Sequence, residues 1–132
     1  GNPPDSCTSQ MYQSYTENLK AIYKEVFSLR NGQPTIIRAI DLYNPVINEH
    51  RKRYMEIECT HCQEIFNTAI LNAADEFSIP LVSVYDAFNG PDHNEDPREK
   101  GYIGNDGIHT SEIGQQIIAD LLSETGYEPI RQ

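Results

Sequence analysis

The stretch "TIIRAIDLY", residues 35–43, decides the fold class. It is β-branched and nearly continuous in its apolar character, which suits a strand buried on both faces, the environment of a parallel sheet. Upstream, residues 11–29 place Tyr12, Tyr15, Leu19, Ile22, Tyr23, Val26 and Phe27 on one helical stripe, and Gly32 and Pro34 stop it. Downstream, "NPVINEHRKR" at 44–53 reads as polar and irregular, with solvated charges. A second helix is expected from about Tyr54 to Phe77, burying Cys62, Ile65, Phe66, Ala69, Ile70, Ala73 and Phe77. Pro80 then opens a second strand, "LVSVYDAF", residues 81–88. A long loop from Asn89 to about Gly107 follows, of a length that is commonly functional or disordered. The last helix begins near Thr110 or Ser111, either of which can cap it, with Ile113, Ile117, Ile118, Leu121 and Leu122 facing inward.

Helix, strand, helix, strand, helix reads as alternating α/β with parallel strands. Two strands are too few for three amphipathic helices, because sheets usually hold about four to six strands. The first helix also lacks the strand that should feed it. The expectation is that residues 1–132 are the C-terminal portion of a single, larger domain.

Composition narrows the partners. The chain has 132 residues, 38% of them hydrophobic, which suits one core. Twenty acidic against ten basic side chains give a net charge of -10, which argues against nucleic acid or an anionic membrane surface as the main partner. No apolar run is long enough for a membrane span. The opening "GNPPDSCTSQ" has neither the basic start nor the apolar run of a signal peptide, as a mature secreted product also would not. The lean is towards an extracytoplasmic or secreted location.

The three cysteines are Cys7 and the pair in "ECTHCQ", Cys59 and Cys62. A redox Cys-x-x-Cys wants its first thiol at a helix N-terminus after a strand, whereas this pair falls inside a helix. Zinc would need His61 or His50 beside the two thiols. The simplest reading is one thiol facing the core and a disulfide involving Cys7.

The chemistry concentrates in "GYIGNDGIHTSEIGQQIIADLL", residues 101–122. Asp106 and His109 stand three positions apart in a loop expected beyond the carboxyl end of a strand, where open α/β sheets keep their sites. A carboxylate so placed can bond one ring nitrogen, fix the tautomer and leave the other nitrogen as a base. The helix that follows favours neutral imidazole and the Asp106 anion favours the protonated form, opposed influences that suit a general base. The same residues also fit a capping loop in which Asp106 bonds backbone amides and His109 lies on the surface.

"NDGIHTSEIGQQIIADLL" resembles the last sequence block of the SGNH (GDSL-type) esterase and lipase superfamily, with Asp106, His109 and Gly114 at matching positions. "YTENLKAIYKEVFSLRNGQPTIIRAIDLYNP" is similar to that family's helix and strand after its third block, and "FSIPLVSVYDAF" to its penultimate strand. The resemblance spans most of residues 12–122. It implies a flavodoxin-like α/β/α sandwich with a parallel sheet and hydrolysis of carboxylic esters. It further implies that His109 deprotonates a serine, which attacks the ester to give an acyl-enzyme. Asp106 orients the imidazole, Gly114 lets the last helix pack close to the sheet, and no metal or organic cofactor is required. The substrate class would be a small-molecule, carbohydrate or lipid ester.

The family's Gly-Asp-Ser nucleophile block and its oxyanion-glycine block have no counterpart among these residues. Ser111 is expected to cap the last helix, and none of the other serines reads as a nucleophile in a strand-to-helix turn. The nucleophilic serine is therefore expected outside this chain, on a complementary N-terminal segment or a partner chain. "GNPPD" stands where the family's third block would lie, and Asn2 is the candidate oxyanion donor there. The competing reading is a non-catalytic α/β binding or assembly module.

Overall fold

The structure, a computed structural model, describes residues 9–130. Helix α1 spans Ser9–Arg30, strand β1 Ala39–Ile40, helix α2 Ile47–Lys52 and helix α3 Glu56–Glu76. Strand β2 spans Leu81–Val82, helix α4 Val84–Asn89 and helix α5 Glu112–Glu124. The strands pair in parallel, with Ala39 opposite Leu81 and Ile40 opposite Val82. The fold is thus mixed α/β around a small parallel pair.

The core forms where the β1–α3–β2 unit closes on itself. Ala39, Ala74 and Ile79 are buried together, with Tyr23, Ile37, Phe77 and Leu81 packed against them. Helix α3 buries Ala69, Ile70, Ala73 and Ala74, and this small-residue face lets it lie close against the sheet. Helix α1 follows its expected stripe, held by edge-to-face pairs of Tyr15 with Phe66 and Tyr23 with Phe77. It buries no residue fully, however, and Ile22 and Phe27 are exposed.

Several expectations are corrected. Strand β1 is not buried on both faces: Ala39 and Asp41 are buried, whereas Ile36, Ile40 and Leu42 are exposed. Its apolar run is therefore one covered face and one open face among the described residues. The second strand ends at Val82, and residues 84–89 are helical. Ser83 turns the chain, since its hydroxyl accepts the Asp86 amide at 3.0 Å and caps α4. That cap turns the period of the buried residues from two to helical, burying Val84, Tyr85, Phe88 and Asn89. Residues 47–52, expected to be irregular, form α2, and two of their charges are paired: Arg51 bonds Glu56 at 2.8 Å, and Glu49 pairs with Arg98.

The 89–107 loop is tied down by internal bonds. Asn89 is fully buried, accepts the Asn44 amide at 2.8 Å and donates to the carbonyls of Asn44 and Glu95 at 2.9 and 3.0 Å. One side chain thus satisfies backbone groups of two segments that have no regular structure to do so. On α5, Ser111 is the N-cap, as expected, and accepts the Gly114 amide at 3.1 Å. Ile113 departs from the expected inner stripe and is 58% exposed, while Gly114 is the buried residue of the first turn.

Candidate active site

Residues 101–111 fold into a closed reversal that carries Asp106 and His109. An antiparallel bridge joins Ile103 to Thr110, and the amide of Gly104 donates to the His109 carbonyl at 2.7 Å. Gly107 sits at φ +75°, a left-handed conformation that suits glycine and turns the chain between the acid and the histidine. The Arg98 guanidinium grips the Gly107 carbonyl through Nε at 3.0 Å and Nη2 at 2.6 Å, while pairing with Glu49 on α2. From the β1 side, the Tyr43 hydroxyl donates to the Ile108 carbonyl at 2.9 Å. Tyr43 packs on Phe88 and Phe88 on Tyr102, so an aromatic stack underlies the loop.

Within the loop, Asp106 does both things the sequence allowed. Its Oδ1 accepts the amides of Ile108 and His109, each at 2.9 Å, and its Oδ2 lies 2.5 Å from His109 Nδ1. The Ile108 amide first, then the bond to the imidazole and the His109 amide, hold the carboxyl down at about 2. An ionised Asp106 accepts only, so Nδ1 carries a proton, and in the neutral imidazole the lone pair is then on Nε2. The His109 side chain is 84% exposed, which leaves Nε2 open to whatever approaches from outside the chain.

The low value has a consequence for pH. The Asp106 carboxyl is depressed relative to an unfolded carboxylate near 3.9, so its contribution to stability is complete above that value and is lost as pH falls through about 2. We expect the carboxyl carbon of Asp106, followed by NMR, to titrate near 2. A midpoint near 4 would mean that the amide bonds and the imidazole pairing do not persist in solution.

The serines fall as follows. Ser111 donates to the Gly101 carbonyl at 2.6 Å besides capping α5. Ser83 does lie in a strand-to-helix turn, contrary to expectation, but its hydroxyl donates to Asp41 Oδ2 at 2.6 Å. Among the described residues no serine hydroxyl bonds the His109 ring. Asn2 and Cys7 lie outside the described residues. Cys62 is disulfide-bonded and Cys59 is a free thiol, so the two are neither a redox pair nor two thiolates for zinc.

The supporting residues Tyr43, Arg98 and Asn89 were not singled out by the sequence reading. Their partners are backbone carbonyls and amides at irregular separations, from 6 to 65 residues, and such pairings leave no repeating spacing to read. Neither Asp106 nor His109 lines the cavities of about 460, 420 and 510 Å³ found elsewhere on the surface. No protein-family model, curated protein or solved structure matches this chain.

Proposed function

We propose that the chain supplies the acid–base half of an SGNH-type serine esterase within a flavodoxin-like α/β/α sandwich. The observation that carries this reading is the 2.5 Å bond from Asp106 to His109 Nδ1, with the other ring nitrogen exposed. In the reaction, His109 Nε2 takes the proton of a serine hydroxyl as the oxygen attacks the ester carbonyl. The resulting imidazolium passes that proton to the leaving alcohol, and water then cleaves the acyl-enzyme by the same route. Asp106 stays ionised and holds the ring in one tautomer. The serine and most of the oxyanion donors come from a complementary segment or chain that closes over the exposed imidazole. The Cys62 disulfide fits an oxidising, extracytoplasmic compartment.

The exposure of His109 favours a second reading, a non-catalytic α/β assembly module. A serine-reactive fluorophosphonate separates the two. The esterase reading expects the intact protein to be labelled at one serine, with labelling abolished by His109→Ala. An intact protein that resists the probe under native conditions would favour the module.

A further inference from the structure

A second constellation lies at the carboxyl ends of both strands, where the first residue after β1 is Asp41 and the first after β2 is Ser83. A cavity of about 460 Å³ opens there, within the size range of small-molecule sites. Its polar wall is Asp41, Glu64, Asp86 and His93, and Leu71 and Leu81 supply apolar surface. No lysine or arginine lines it. His93 Nε2 lies 2.6 Å from Asp86 Oδ1, and its Nδ1 lies 3.9 Å from Glu64 Oε1. One imidazole therefore faces two carboxylates, and Asp41 is a third acid in the same wall.

The cavity also contains a buried polar group with nothing to bond. Tyr85 is 2% exposed, its ring stacks on His93 at 3.8 Å between centroids, and its hydroxyl has no hydrogen-bond partner. Tyr85 lines the cavity together with Asp41, Glu64 and Asp86, and burial first, then the carboxylates of Glu64, Asp41 and Asp86, push its phenol up to about 12. A native chain seldom leaves such a group unmatched without a reason. Asp41 is already satisfied, accepting the Ser83 hydroxyl at 2.6 Å and the Tyr85 amide at 2.8 Å. Free acceptor capacity remains on Glu64, on Asp86 and on the Tyr85 oxygen. Among the described residues no cluster of three or more His, Cys, Asp or Glu could hold a metal ion. The demand is for a donor-rich cation that brings its own geometry.

We infer that this cavity binds a primary ammonium group on a short aliphatic chain. The ammonium donates to Glu64, Asp86 and the Tyr85 hydroxyl, and the aliphatic chain lies along Leu71 and Leu81. The half-exposed Glu64 side chain is the wall that moves to admit it. This site stands apart from the Asp106–His109 loop and does not depend on the esterase reading.

Titration of the intact protein with butylammonium, followed by amide NMR, tests the inference, with butan-1-ol as the uncharged control. Saturable shifts at Glu64 and Asp86 with the amine, and none with the alcohol, are expected. Glu64→Gln should weaken binding by about threefold or more. Tyr85→Phe should weaken binding while raising the thermal midpoint of the ligand-free protein, because it deletes an unpaired buried hydroxyl. The inference is overturned if the amine gives no saturable shift, if the alcohol binds as well, or if both variants bind like the parent.

Discussion

Gly114→Ala is expected to destabilise the chain by about 2–4 kcal/mol, although alanine is the better helix former by about 1 kcal/mol. A Cβ at position 114 would run into the Tyr102 carbonyl oxygen, lying 3.1 Å from its carbon and 3.2 Å from Phe88 Cζ. The oxygen is backbone and cannot swing aside. It also accepts the Ser111 amide at 2.8 Å, so any retreat breaks the entry to α5. Relief must come from lifting α5 off the aromatic stack under the Asp106–His109 loop. Urea unfolding would measure the loss, with exposed Gln115→Ala as a control expected within about 0.5 kcal/mol of the parent. A neutral Gly114→Ala would show that the helix does not approach Tyr102 this closely.

On the proposed esterase reading, His109→Ala should lower kcat/KM of the intact protein for a short-chain aryl ester by about a thousandfold, the loss that removing a general base would bring. Asp106→Asn should act through the same ring: the amide can present a donor to Nδ1, favouring the tautomer whose proton sits on Nε2. The two residues work as one unit, so the double variant should be little worse than His109→Ala alone. Additive losses would mean that Asp106 contributes by some route other than the imidazole. Unchanged hydrolysis in His109→Ala would remove the catalytic assignment altogether. The variant should remain folded, because the ring is exposed and, among the described residues, bonds only Asp106.

How much of this was legible beforehand varies with the range of the interaction. The Asp106–His109 pair was readable because both partners lie within one turn of chain, so spacing alone sets their reach. The Ser111 cap was readable for the same reason, and the signal at Ser83 was equally local: a serine three residues before Asp86 is a helix start. That signal is masked because "LVSVYDAF" also satisfies a strand pattern, and short apolar runs are ambiguous between the two periods. The exposed faces of β1 and α1 were not legible, since an apolar residue carries no mark of whether a neighbour covers it.

Alone, the sequence determined the three long helices and the parallel strands between them, Ala69, Ile70 and Ala73 on the buried face of α3, and the carboxylate–imidazole pair of one loop. All of these follow from periodicity and from contacts a few residues long. Only the tertiary structure decided that Arg98 and Tyr43 hold that loop through the Gly107 and Ile108 carbonyls, that Asn89 ties its own segment to Asn44, and that Tyr85 carries an unmatched hydroxyl beside an acidic cavity. The physical reason is that these arrangements join different segments of the chain, in most cases tens of residues apart. Hydrogen-bond satisfaction and burial at such distances are properties of the packed chain, and no local window of residues contains them.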